Sequence, residues 1–165
     1  MDAYFGKYRG RVAGNADPKM LGRLQVSCPA VLGDGRTAWA SPCVPYAGQG
    51  VGLFALPPVG AGIWVEFEGG DPDSPIWAGC FWGPGEMPVT PAVADKKVFR
   101  TTGVTITVDD RPGSGGVTVQ VAPPLVPAPM RLTLNAAGIE LVNGSASVKL
   151  SNVSVNVNNG ALEVL

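Results

Sequence analysis

Gly60-Ala-Gly-Ile-Trp-Val-Glu-Phe-Glu-Gly-Gly-Asp-Pro-Asp-Ser-Pro-Ile-Trp-Ala-Gly79 is the stretch whose reading decides the fold. Ile63, Val65 and Phe67 alternate with Trp64, Glu66 and Glu68, the two-residue period of a half-buried strand. Gly69 to Pro75 then supplies nearly every residue type that turns a chain, and Ile76-Trp77-Ala78 opens a second apolar run. The stretch reads as a hairpin with four carboxylates (Glu66, Glu68, Asp71 and Asp73) gathered about its turn, Glu66 and Glu68 on one strand face.

Upstream, short apolar segments alternate with turn signals: Tyr4–Val12, then Gly14–Pro18; Gly22–Val26, then Leu32–Gly35; Thr37–Ala40; and Gly48–Phe54 leading to Pro57-Pro58. Cys80-Phe81-Trp82 follows the hairpin. Five or six short strands without helical periodicity indicate a small closed all-β barrel over residues 1–95, since closure removes exposed edges.

Downstream the chain changes character. All twelve aromatic residues lie at or before Phe99, and no cysteine follows Cys80. Residues 96–165 instead carry aliphatic residues at strict alternation. Val104, Ile106 and Val108 come first, then Val117, Val119 and Val121. After the proline-rich interruption from Pro123 to Pro129 come Leu132 and Leu134, Ile139 and Leu141, and Val148 and Leu150. Val153, Val155 and Val157 read as one strand, and Leu162 and Val164 close the series. A single layer of such strands has nothing to bury its apolar face against. Burying a Val or Leu stabilises by about 1.5–3 kcal/mol, so several copies wrapping these faces around a common axis resolve the problem. This half is expected to be a trimeric β-prism or intertwined, triple-stranded β-helix.

Charge supports assembly. Only 15% of the 165 residues are charged, against about 25% in ordinary soluble domains. Residues 1–36 are net +3, residues 37–95 hold six acids and no base, and residues 96–165 are net +2. From Thr37 to Val65 there is no charge, but Pro42, Pro45, Pro57, Pro58 and several glycines forbid a membrane-spanning helix. The N-terminus has no signal-peptide core, and Cys28, Cys43 and Cys80 read as buried free thiols of a reducing compartment.

Catalytic readings have little to stand on. The chain contains no histidine, which removes Ser-His and Cys-His pairs and the commonest general base and zinc ligand. The hairpin acids could be a metal or acid–base pair, but lack a calcium-loop pattern and read better as turn formers. Neither a metal nor a cofactor is expected. Tyr4, Tyr8, Arg9, Arg11 and Arg23 could form a basic–aromatic patch for single-stranded nucleic acid, the alternative reading of such a barrel. The net −6 of residues 37–95 opposes it. Trp39, Trp64, Trp77 and Trp82 could line a sugar site, but suit core or interface anchors better.

Taken together, Gly10-Arg11-Val12, Asp17-Pro18, Gly22–Val26, Thr37–Ala40, Pro57–Gly60, Val65–Ile76, Lys97–Thr101, Asp109-Asp110 and Asn159–Val164 resemble the central spike proteins of contractile injection machines, phage baseplate assembly protein V and the type VI secretion (VgrG) spikes. The resemblance implies an OB-fold-like barrel followed by a trimeric β-helix, homotrimeric and non-enzymatic, assembled in the cytoplasm into a virion or phage-tail-like particle. It implies a barrel seated on a baseplate hub, for which Tyr4, Tyr8, Arg9 and Arg11 are the candidate docking residues. It implies a needle capped by a small PAAR-like tip protein, docked on Leu162, Val164 and Leu165, which contacts the target membrane transiently on firing. Some relatives carry a lysozyme or effector domain, for which this sequence has no room.

Overall fold

A computed structural model describes residues 3–165. The fold divides between Glu86 and Met87 into two compact units, each described by itself.

The first unit is a closed barrel. Its strands are β1 (Tyr8–Gly14), β2 (Leu24–Ser27), β3 (Ala38–Pro42), β6 (Gly62–Phe67) and β7 (Pro75–Phe81), with a four-residue helix α1 (Pro29–Leu32) between β2 and β3. A small separate ladder, β4 (Ala47–Gly48) with β5 (Val51–Gly52), stands between β3 and β6. The closed order is β1-β2-β3-β7-β6. Every pair is antiparallel except β3–β7, where Ser41 faces Ile76 and Pro42 faces Trp77 in parallel.

The two-residue period fills the interior. Val12 from β1, Leu24 and Val26 from β2, Ala40 from β3, Ile63, Val65 and Phe67 from β6 and Trp77 from β7 are buried together with Cys28. Gly10 lets β1 approach closely: a Cβ there would lie 2.7 Å from Val65 Cγ2 and 2.8 Å from the Ser27 carbonyl oxygen. The Trp77 indole N–H donates to the Gly22 carbonyl at 3.2 Å, so its burial leaves no orphan donor. The expected hairpin is β6–β7, turned by Glu68–Gly70 with Gly69 in the left-handed region (φ 61°). Strand β6 stops at Phe67, so Glu68 belongs to the turn and does not share a strand face with Glu66. Two cysteines also depart from expectation. Cys28 is buried, but Cys43 and Cys80 are exposed: Cys43 lies just past the end of β3, and Cys80 lies near the end of β7, beyond a register shift in its pairing with β6.

The second unit is one eight-stranded antiparallel sheet in simple sequence order: β8 (Lys96–Arg100), β9 (Val104–Asp109), β10 (Gly116–Val121), β11 (Met130–Asn135), β12 (Gly138–Asn143), β13 (Ala146–Leu150), β14 (Val155–Val157) and β15 (Leu162–Val164). The Pro123–Pro129 stretch causes no break in it. Val121 pairs directly with Met130, and the intervening loop leaves the ladder as an excursion anchored by the Ala122 N–H on the Gly103 carbonyl at 2.8 Å. Val153 is displaced from its expected strand: it lies exposed in a turn where the Ser151 hydroxyl accepts from the Val153 and Ser154 N–H groups. The serines there offer the backbone a local alternative to the ladder.

All the buried apolar side chains among the described residues belong to the barrel. Leu24→Ala is therefore expected to cost the barrel about 2–5 kcal/mol. Denaturant unfolding followed by tryptophan fluorescence reads this directly, because every tryptophan lies in the first unit.

Candidate functional site

The register of the eight strands turns alternation into continuous rows. Phe99, Ile106, Val119, Leu132, Leu141, Val148, Val157 and Leu162 stand opposite one another from β8 to β15. Two residues along each strand, Lys97, Val108, Val117, Leu134, Ile139, Leu150, Val155 and Val164 form a second row. Val104, Val121 and Met130 begin a third. Directly opposed positions share a sheet face, as do residues two apart, so these rows make one aliphatic surface. Between them runs Thr107, Thr118, Thr133, Glu140, Lys149, Asn156 and Glu163, a polar row for the opposite face. Of the residues expected to form the assembly core, all but Val153 lie in the aliphatic rows. Phe99 and Met130 join them unforeseen, although the Lys97/Phe99 alternation already carried the signal.

Within the second unit no layer covers this surface. Gly103 is the only fully buried residue of the second unit, while Leu141 is 49% and Leu162 59% exposed. A shallow, almost wholly apolar concavity of about 520 Å³ lies on the face, lined by Val119, Val121, Leu132, Leu141 and Val148 among others. At the end of the sheet, Leu162, Val164 and Leu165 are all exposed.

The barrel residues expected to dock a partner do not share one face. Tyr4 and Tyr8 turn inward and pack with Phe67, ring centroids 6.1 and 5.7 Å from it. Arg9 and Arg11 point outward. The Arg9 guanidinium sits over Trp64 and Phe81, 4.9 and 4.6 Å from their centroids, and Arg11 donates to the Gly60 carbonyl at 2.9 Å. The tryptophans are likewise dispersed: Trp77 is core, Trp39 and Trp64 carry arginines, and Trp82 is exposed.

The hairpin acids serve the turn. Asp71 accepts from the Asp73 N–H at 3.0 Å and from the Ser74 hydroxyl at 3.3 Å, and Glu66 forms an ion pair with Lys7. Among the described residues, no group of three or more His, Cys, Asp or Glu side chains is placed to hold a metal ion.

The tightest polar cluster lies elsewhere, at Asp17. Its carboxylate accepts from the backbone N–H groups of Lys19, Leu21 and Arg23 and from the Arg23 guanidinium at 2.7 Å. Arg23 also lies over Trp39 at 5.1 Å. The Arg23 guanidinium, helped by the backbone donors, holds the Asp17 carboxyl far below its ordinary 3.8. Spacing alone could not have separated this clamp from an ordinary Asp-Pro turn. In the sheet, Arg111 beside Asp109 brings that carboxyl down to about 2.

A closed OB-like barrel in series with a sheet bearing an uncovered aliphatic face defines an all-β assembly protein. Residues 8–82 match the family model of the type VI secretion system/phage-baseplate injector OB domain. Residues 96–163 match the phage baseplate V C-terminal trimerisation domain. The chain belongs to the phage baseplate V family and is a baseplate spike-type protein. No curated protein matches it. No helix among the described residues is long and apolar enough to cross a membrane.

Because Asp17 titrates lower folded than unfolded, its contribution to stability is present above about pH 4 and is lost as pH falls towards the folded value. Acid unfolding of the barrel should therefore steepen below about pH 4. Asp17→Asn is expected to lower the melting temperature at neutral pH and flatten that acid limb, as read by tryptophan fluorescence across pH. The Asp109 carboxyl should titrate near 2 by NMR, and Arg111→Ala should return it towards 3.8.

Proposed function

We propose that this chain is a non-enzymatic structural component of a contractile baseplate. Three copies wrap the aliphatic faces of their eight-stranded sheets around a common axis to make a rigid needle. One observation carries the reading: a sheet of sixteen-odd aligned aliphatic side chains has no covering layer of its own, and the sequence there matches a trimerisation domain. Three such faces turned inward give each sheet the second layer that a stable architecture requires. The polar rows then face solvent, cross-linked by pairs such as Arg131 with Glu140 at 3.4 Å.

In this reading the barrel joins the needle to the baseplate hub, with outward-facing Arg9 and Arg11 as the exposed part of the docking surface. The apolar end at Leu162, Val164 and Leu165 receives a tip protein. Assembly takes place in the cytoplasm, and the needle meets a membrane only on firing. Its work is mechanical: the strands lie across the direction of thrust, their hydrogen bonds run along it, and a dry axis resists shear. Single-strand nucleic-acid binding has less support, because Arg23 is engaged by Asp17 and residues 37–95 carry only acidic charge.

Native mass spectrometry tests the reading: the dominant species should weigh three times the 16.9 kDa chain. Leu141→Asp, placing a charge on the apolar face, should convert the trimer to monomers while leaving the barrel's tryptophan emission unchanged. A wild-type monomer would sink the proposal. Truncation after Ala94 should abolish the trimer in the same measurement.

A further inference from the structure

The barrel carries a second uncovered apolar surface, separate from the sheet. Strands β4 and β5 pair over only two residues each and with no third strand, and an isolated two-stranded ladder is marginal in water. Their arm displays Tyr46, Val51, Leu53 and Phe54, all more than half exposed. Across a cavity of about 460 Å³ from the arm stand Met20 and Leu21, 90% and 62% exposed.

This far wall is held in place. Met20 sits at φ 53°, a conformation uncommon for a residue with a side chain. It is fixed by the Asp17 carboxylate, which accepts from the N–H groups of Lys19, Leu21 and Arg23 on either side of it. Strain of this kind persists only where surrounding contacts over-determine it. Here it presents two large apolar side chains outward from a backbone with little freedom left to lose on contact.

We infer that this surface is where the barrel of a second copy of the chain packs, so that three barrels close a ring of heterologous contacts. The inference rests on the trimeric reading above. Three observations favour a second copy over another protein. The arm belongs to the Thr37–Val65 stretch that has no charge, so identical copies meet there without opposing like charges. The C-terminal part of each chain matches a trimerisation domain, which holds three barrels together whatever else is present. The connector between Phe81 and Lys96 reaches at most about 50 Å when fully extended, which puts neighbouring barrels at an effective concentration on the order of millimolar. At that concentration even a weak apolar contact is occupied.

The test uses full-length protein purified alone, with the photo-reactive analogue p-benzoylphenylalanine replacing Phe54. Irradiation should give covalently joined chains, with the adducts mapping to residues 8–82 of another copy. Adding Met20→Asp and Leu53→Asp should abolish the joined product. It should also enlarge the particle in small-angle scattering, while native mass still reads three chains. A three-chain species that gives only intrachain adducts, or whose dimensions do not change in the double variant, overturns the inference and leaves the trimeric needle standing. A species of one chain overturns both.

Discussion

An antiparallel sheet with one aliphatic face needs something to lie against, and the second unit supplies nothing of its own. Every other property of the second unit follows from that constraint. The side chains are valine, leucine and isoleucine, with Met130 among them and one phenylalanine, Phe99, at the edge. Such residues suit the narrow axis that we propose the copies share, where bulkier rings from every copy would collide. Strict register matters for the same reason. A slip of one residue in any strand would turn its aliphatic members to solvent, and the meander connections leave little freedom for one. The barrel satisfies the same requirement internally, by closing on itself and filling its centre with residues contributed by each of its strands.

The two units therefore differ in what holds them. The barrel owns a complete core and a buried indole with its donor satisfied. In the proposed trimer the sheet depends on concentration and on its neighbours, as obligate assemblies do. In that reading, placing both in one chain separates the tasks: a barrel with its own core can present docking surfaces before assembly, and a sheet completed by its copies commits them to a common axis.

Much of this was legible in the sequence wherever a period of two met a buried face. The β6–β7 hairpin announced itself because Ile63, Val65 and Phe67 alternate and Gly69–Pro75 can hardly do anything but turn. The aliphatic rows were legible for the same reason, and Val153 escaped because Ser151 and Ser154 hold a local turn that competes with the strand. What could not be read were features that depend on partners distant in the chain. Whether Cys43 and Cys80 are covered depends on where β3 ends and where the β6–β7 register shifts, which apolar neighbours do not reveal. That Tyr4 and Tyr8 close the core against Phe67, while Arg9 lies over Trp64 and Phe81, depends on β1 pairing with β6 across fifty-odd residues. The Asp17 clamp was hidden because Asp-Pro is a common turn, and its several backbone donors become visible only once folded.

The uninterrupted sequence order of the sheet sets the length of the object it builds. Each strand lies beside the one before it and adds about 4.8 Å in the hydrogen-bonding direction, so the sheet's eight strands extend roughly 35 Å. Because every hairpin repeats the same cross-section of two aliphatic positions flanked by polar ones, inserting or deleting a hairpin changes reach by about 10 Å without redesigning the packing beside it. Length becomes a quantity evolution can count in strands, independent of the chemistry at either end.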